Sequence, residues 1–571
     1  SYKHVEPDFV DFNIQKLLPH KLSDYTPALA VGDVDGNGLD DIIIGGNNYS
    51  PAQVLLQQAN GKFVQRNLVP DKGVSGRVND EGILLFDANG DGKLDVYISS
   101  GGYMSAPGDT VYQDRLYLND GKGNFTLAAN ALPVNHTSKM CVRAIDYNRD
   151  GKLDLFISGR VDPWNYPKPV SSFILRNDSK NGQVKFTDVT AQVAPDLKNI
   201  GMVCDALFTD YDNDGWPDLV LAGEWMPVTF LKNDHGIFKN ETKNSGVANK
   251  TGWWNSIVAG DFRHTGRMDY IVGNVGLNTL YKATDKYPVY ITAKDFDING
   301  SYNAVTSIFL PDKDGNKKEF PAVGRDDIFK EMISLKKRFT NYKSFAVATM
   351  DDILPPEQRK GALRLMSNTS QSCYLRNDGN GKFTIIPLPN QAQISAINGM
   401  VVDDFDGDGN LDVMMNGNDY GTDVSVGRYD ALNGLMLKGD GKGNFYPQSI
   451  MQSGIYIPGD GKALVKLQSN EGNYMLAASE NKGPLKLFEL KRKANNINLR
   501  EDDESAIIIY KNGVKLKQEF YYGSSFLSQS GRFLTLNSDV KSVEITNNKG
   551  QKRVLNFDNQ NHSVSKKVNP F

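Results

Sequence analysis

Apolar runs in this chain are short and come in pairs, each pair split by an acidic, glycine-rich loop. PALAVG is followed by DVDGNGLDD and DIIIGG, GILLF by DANGDGKLD and VYISSGG, and CVRAI by DYNRDGKLD and LFISGR. CDALFT, DYDNDGWPD and LVLAGEW repeat the order, as do GMVV, DFDGDGNLD and VMMNGN. Runs of this length, rich in Val, Ile and Leu and bounded by Gly and Asp, predict strands rather than helices. A further pair of runs follows each second strand around a Gly- or Asn-Asp-rich turn. Examples are LLQQANGKF (55–63), LYLNDGKGNF (116–125), FILRNDSKNGQVKF (173–186), FLKNDHGIF (230–238), YLRNDGNGKF (374–383) and LMLKGDGKGNF (435–445). Such turns signal hairpins, so the predicted unit is four antiparallel strands. Units start at 33, 87, 146, 210, 261, 404 and 460. That period and the all-strand content predict an all-β fold, a seven-bladed β-propeller of four-stranded blades over residues 1–490.

The wide gap between the fifth and sixth starts predicts an insertion over 280–370, because the hairpin completing blade five returns only at Tyr374. Within it, Phe329, Met332, Leu335 and Phe339 fall at helical spacing, so the insertion is expected to be partly helical with a packed apolar stripe. LPDKDGNKKEF reads as an ordinary hairpin turn. Beyond the charged KRKANNINLREDDE, residues 496–571 read as a small β module, with SAIIIY, VKSVEI and KRVLNF as strands and YYGSSFLSQSGRF between them.

The acidic loops carry the candidate chemistry. Oxygen donors on alternate positions of a Gly-kinked loop suit Ca²⁺, which takes six to eight oxygens in flexible geometry. The sets, each with a main-chain carbonyl at the seventh position, begin with Asp33, Asp35, Asn37, Leu39 and Asp41, then Asp87, Asn89, Asp91, Lys93 and Asp95. They continue with Asp146, Asn148, Asp150, Lys152 and Asp154, then Asp210, Asp212, Asp214, Trp216 and Asp218, and close with Asp404, Asp406, Asp408, Asn410 and Asp412. About five structural calcium ions are expected from these sets. A sixth is a candidate at Asp295, Asp297, Asn299 and Asn303 in DFDINGSYN. The bland alternative is that Asp-Gly turns hold the blades by hydrogen bonds alone. Two loops have decayed. DFRHTGRMD carries Arg263 and Thr265 where anions stand elsewhere, so no ion is expected, and around GDGKALVKL (459–467) the loop is reduced.

Composition narrows the function. With 64 basic and 68 acidic residues the net charge is −4, so no basic field exists to collect phosphates and nucleic acid is excluded as a partner. Cys141, Cys204 and Cys373 form no CxxC pair and read as core residues. The chain holds no apolar run long enough for a membrane span, and residues 1–30 lack a signal peptide's regions. His4, His20, His136, His235, His264 and His562 are scattered, and GxSxG, P-loop and HExxH motifs are absent.

Function is therefore sought at the blade ends opposite the acidic loops, about 17–20 Å away along a strand. That end collects Asn48, Tyr49, Arg77, Glu81, Tyr103, Trp164, Asn165, Tyr166, Glu224, Trp225, Trp253, Trp254, Asn418 and Tyr420. Tyr49, Tyr103, Trp164, Tyr166, Glu224, Trp225, Trp253, Trp254 and Tyr420 are the candidate ligand-binding residues, since aromatics beside amides and carboxylates suit a sugar ring or a peptide. The alternative is that these rings wedge neighbouring blades together. Asp80, Glu81 and Glu224 are the candidates if the face is catalytic.

With these motifs in view, the chain resembles the FG-GAP/VCBS repeat family, whose integrin-α-like propellers carry calcium in such loops. YYGSSFLSQSGRF resembles the ASPIC/UnbV motif, and LLPHKLSDYTPALAVGDVDGNGLDD is similar to the start of a propeller in large Bacteroidota cell-surface proteins, often encoded beside outer-membrane nutrient importers. The resemblance implies an exported protein at the cell surface or outer membrane, held there by a lipoprotein-type anchor outside this chain. It implies a binding or assembly component recognising a glycan, a peptide or an outer-membrane importer complex. A polysaccharide lyase or hydrolase and a purely structural scaffold remain open alternatives. The RNA-binding label sometimes attached to the tail motif finds no support in the charge balance.

Overall fold

The computed structural model describes residues 2–70, 78–557 and 570–571. Seven antiparallel sheets follow the predicted units in order. Sheet four is typical: Met202–Thr209 runs into the acidic loop, Asp218–Pro227 returns, and Thr229–Asp234 and Ile237–Asn240 complete it, with Thr251–Trp253 added beside the second strand. The first strands of the others are Leu29–Gly32, Asn79–Phe86, Ser138–Ile145, Ser256–Gly260, Ile397–Asp403 and Gly461–Gln468. Each first strand lies against that of the next sheet, and the seventh lies against the first. The arrangement is propeller-like. Sheet seven departs from the expected four strands: among the described residues it holds three, ending at Lys486–Glu489. The acidic motif is also misplaced there, for Gly459–Lys462 enters the first strand, and the turn at the loop end is Ser469–Asn473. Gly-Asp-Gly looks the same at either end of a strand.

Burial explains the composition. Asn79–Phe86, Ser138–Ile145 and Met202–Thr209 are buried at every position, because the sheets press against one another on both faces, whereas the outermost Phe63–Asn67 is largely exposed. Continuous apolar runs therefore occur at the centre and alternation only outside. Close approach of sheets also demands glycine: a Cβ on Gly101 would lie 2.0 Å from the Lys139 carbonyl oxygen of sheet three.

Inner strands leave an unpaired edge, and such edges invite pairing unless they are covered. The tail covers them. Ser528–Gln529 pairs in parallel with Leu29–Ala30 of sheet one, and the Gln529 amide mimics a peptide by donating to Leu85 O (2.8 Å) and accepting from Leu85 N (2.6 Å) in sheet two. Tyr522 bridges to Ala144 of sheet three. Ser525 Oγ accepts from Met400 N (2.6 Å), Ser528 Oγ from Leu464 N (3.1 Å) and Ser530 Oγ from Lys466 N (3.0 Å). YYGSSFLSQSGRF is thus a plug whose hydroxyls and amide satisfy otherwise orphaned backbone groups of three sheets and whose main chain pairs with two more. The rest of the tail forms a four-stranded sheet of Asp503–Tyr510, Lys515–Glu519, Val540–Asn547 and Lys552–Asn556.

The insertion separates the second strand of sheet five, Asp269–Gly273, from the third, Cys373–Gly379. It carries a helix in the expected stretch, Arg325–Glu331, two more that the spacing did not foretell, Tyr342–Ala346 and Met350–Ile353, and a four-stranded sheet of its own, likewise unforetold. Phe329, Met332, Leu335 and Phe339 are all buried in one cluster with Phe345 and Ile353. The first helix nevertheless ends at Glu331, whose carboxylate accepts from Asn303 and from the Lys16 backbone. Lys317–Pro321 and Asn303–Pro311 form the hairpin around Asp312–Asn316.

Candidate metal centre and the opposite end

Each acidic loop is braced by its own first and last aspartates. Asp210 Oδ1 accepts from Asp214 N and Oδ2 from Gly215 N, both at 3.0 Å, while Asn213 (φ 59°) and Gly215 (φ +88°) supply the left-handed kink. The closing Asp218 ties the loop to the sheet, Oδ1 accepting from Asn233 N (2.8 Å) and Oδ2 from Tyr211 N (3.2 Å). In four loops three carboxylates bring an oxygen each within 4.8 Å of one another: Asp33, Asp35 and Asp41; Asp146, Asp150 and Asp154; Asp210, Asp212 and Asp218; Asp404, Asp406 and Asp412. Asn37, Asn148, Asp214, Asp408 and the residues at position seven, Leu39, Lys152, Trp216 and Asn410, lie in the same loops. The loop of Asp87, Asn89, Asp91, Lys93 and Asp95 keeps the bracing, with Asp87 accepting from Gly90 N and Gly92 N. Its carboxylates are not among the convergent groups of the described residues, and Lys93 Nζ draws Asp91 to 3.4 Å.

The donor set fits a hard cation. Burial, reinforced by neighbouring carboxylates, pushes Asp218 up to about 9, Asp154 to about 8 and Asp41 to about 7, and burial lifts Asp95 to about 6. Crowded, buried carboxylates of this kind are stable as anions only beside positive charge. Asp154 Oδ2 is buried with no hydrogen-bond partner. Lysine ammonium groups lie against two of the loops, Lys232 on Asp212 and Asp214 and Lys438 on Asp406 and Asp408. In the decayed loop Arg263 takes that role permanently: its Nε and Nη2 clamp both oxygens of buried Asp269 at 3.0 and 2.8 Å. At the sixth candidate, Asp295 braces Asn299 N and Gly300 N and Asn303 Oδ1 takes the closing position by accepting from Phe296 N. Asp297 instead accepts from Ser334 Oγ (2.6 Å).

Sequence reasoning missed a latch. The Asn of each Asn-Asp hairpin reaches back to the preceding sheet's loop: Asn119 Nδ2 donates to Val34 O (2.8 Å), Asn177 to Ala88 O (3.2 Å), Asn233 to Tyr147 O (3.0 Å) and Asn377 to Tyr211 O (2.8 Å). The recurring Asn-Asp pair was the available signal, read only as a turn. In sheet six the position is Gly439, where a Cβ would lie 2.1 Å from Leu411 O.

At the opposite end the expected exposed aromatic face is mostly a buried cluster. Tyr103, Tyr166, Trp225, Trp253 and Trp254 are buried, while Tyr49 (68% exposed) and Trp164 (37%) reach solvent and Tyr420 is half-buried. Trp225 Nε1 donates to Tyr166 Oη (2.7 Å), and Trp225 and Trp253 meet edge to face at 5.2 Å. The N-terminal segment closes over them: Gln15 accepts from Tyr103 Oη (2.5 Å), and His20 packs on Trp253. Glu224 is held between Arg160 Nη2 (2.8 Å) and His20, which outweigh burial and keep its carboxyl down at about 2. Asp80 pairs with Arg115. Glu81 is buried with both oxygens unpaired, its carboxyl pushed up to about 8 by burial. A cavity of about 60 Å³ lies between His20, Arg160, Glu224, Trp253 and the plug's Phe526. Asn418 is buried in internal hydrogen bonds, whereas Arg77 and His562 lie outside the described residues. Burial raises the Cys141 thiol to about 11 and those of Cys204 and Cys373 to about 12, as core residues require.

These loops have counterparts in known proteins. Residues 33–98, 101–157 and 210–272 match the FG-GAP-like repeat family, so the chain carries FG-GAP-like repeats. Cartilage acidic protein 1 of Mus musculus is 26% identical over 232 residues, which is 38% of this chain and 33% of that relative's length. Among solved structures, the V. cholerae biofilm matrix protein Bap1 aligns over 90% of this chain and 97% of its own at 12% identity and a TM-score of 0.36. Rhamnogalacturonan lyase YesW aligns over 90% and 74% at 11% identity and a TM-score of 0.36. Both superpose loosely, and the architecture rests on the order of the sheets. Among the described residues, no helix is long and apolar enough to cross a membrane.

Proposed function

We propose that the chain is a calcium-stabilised seven-bladed propeller, residues 1–490, acting outside the cell as a binding or assembly component, with an ASPIC/UnbV-like module at 496–571. The ions are structural: each neutralises a buried carboxylate group and couples metal binding to folding. The observation that carries a binding rather than a catalytic reading is that two of the three acid–base candidates at the opposite end are engaged, Glu224 by Arg160 and His20 and Asp80 by Arg115, while the third, Glu81, is buried away from solvent. Glycan, peptide or outer-membrane importer contact is assigned to the surface around exposed Tyr49 and Trp164. The test is a pull-down from native membranes and a glycan panel with the intact protein and a Tyr49→Ala/Trp164→Ala variant. Loss of capture in the variant is expected. Equal capture by both proteins would remove this surface from the account, and shortening of a glycan chain would favour the lyase or hydrolase reading.

A further inference from the structure

The C-terminal module does more than plug the centre: it touches the acidic loops at one recurring atom. Asn548 Nδ2 donates to Asp146 Oδ2 (2.9 Å), Asn537 Nδ2 to Asp404 Oδ2 (3.2 Å) and Lys517 N to Asp261 Oδ2 (3.1 Å). In each loop that same oxygen accepts from the kink glycine, Gly151, Gly409 or Gly266. The module therefore holds the first aspartate of three loops by the same oxygen. In the loop of sheet four the contact is to the backbone instead, Asp210 N donating to Glu519 Oε1 (2.9 Å). Two further atoms sit in the Asp146 loop without hydrogen-bond partners, the buried Asp154 Oδ2 and the buried Asn548 Oδ1.

We infer that Asn548 and Asn537 are positioning residues of the cation loops in sheets three and six, so that cation binding and docking of the C-terminal module form one coupled equilibrium. A hydrogen bond to one carboxylate oxygen fixes the direction of the other, and loss of such an outer partner weakens metal affinity by about 10–100-fold. Coupling is reciprocal: whatever the docked module adds to cation affinity, the cation adds to docking. The sheet-four loop provides the internal contrast: among the described residues the Asp210 carboxylate accepts only from Asp214 N and Gly215 N of its own loop, and the module's Glu519 and Lys517 side chains bond Asp210 N and Asn213 Oδ1 instead. This inference rests on the calcium reading of the loops.

The test uses the full chain and calcium alone. Native mass spectrometry at stepped free calcium counts ions on the wild type, Asn548→Ala, Asn537→Ala and the double variant. The expected result is one ion released at about 10-fold higher free calcium in each single variant and two in the double, with melting in chelator unchanged from wild type. Equal ion counts in all four proteins overturn the inference while leaving the calcium reading intact, as does an equal fall in melting temperature with and without calcium, which marks a contact that is only structural. A wild type that takes up no calcium overturns both. Hydrogen exchange adds a second readout: chelation is expected to expose the Met400, Leu464 and Lys466 amides capped by the plug. Exchange rising only in the acidic loops overturns the coupling.

Discussion

Asn233→Ala removes one latch together with two hydrogen bonds inside its own sheet. Asn233 is fully buried, and its amide donates to Tyr147 O of the preceding loop and Pro217 O of its own, both at 3.0 Å, while its Oδ1 accepts from Gly236 N (2.7 Å). Three hydrogen bonds at about 1 kcal/mol each give about 3 kcal/mol, with more lost where the orphaned carbonyls stay dry. The register of the sheet is untouched, because Asn233 N still donates to Asp218 Oδ1. Urea unfolding in saturating calcium, compared with Asn240→Ala on the exposed outer strand, measures the difference. A loss below about 0.5 kcal/mol, the range of ordinary surface substitutions, would show that the latch is an accompaniment of sheet packing and not a cause of it.

Further outcomes follow from the same geometry. Arg263→Ala strands buried Asp269 without its counter-charge and is expected to cost about 3–5 kcal/mol, measured by denaturation, whereas Arg263→Asp with Thr265→Asp is expected to bind one additional calcium ion by calorimetry. In chelator, stability is expected to fall from about pH 4 to about pH 9, because Asp41, Asp154 and Asp218 have folded values raised to about 7, 8 and 9 and must ionise as the pH rises. Thermal scans across that range should show the calcium-induced rise in Tm growing with pH; a rise independent of pH would sink the assignment of those carboxylates. Glu224→Gln should remove stability present above about pH 4.5, since the native carboxyl is held down at about 2, and denaturation at pH 7 against pH 3 checks it.

Sheets and acidic loops were legible because an inner strand packed on both faces has to be continuously apolar, and the loop joining it to the next carries a ligand spacing no other element needs. That an insertion interrupts sheet five was legible from a hairpin displaced to Tyr374, whose strand pairs with Asp269–Gly273. Buried Trp225 and Trp253 were not legible as such, because a ring packed between sheets and a ring offered to a ligand occupy the same place in a strand-end sequence. The plug was opaque for a related reason. Ser525, Ser528 and Gln529 read as loop polarity, and only the ring of unpaired inner edges explains them. Arg263 was legible as a cation where the sister loops carry an anion, and the structure shows its guanidinium clamped on Asp269.

The central claim is that the acidic loops hold the propeller together through calcium. Following Tm of the full chain while calcium is titrated against a chelator tests it most directly: the account predicts a large, reversible rise on calcium addition, saturating with the uptake of several ions. An unchanged Tm with loops fully competent to fold in chelator would contradict it.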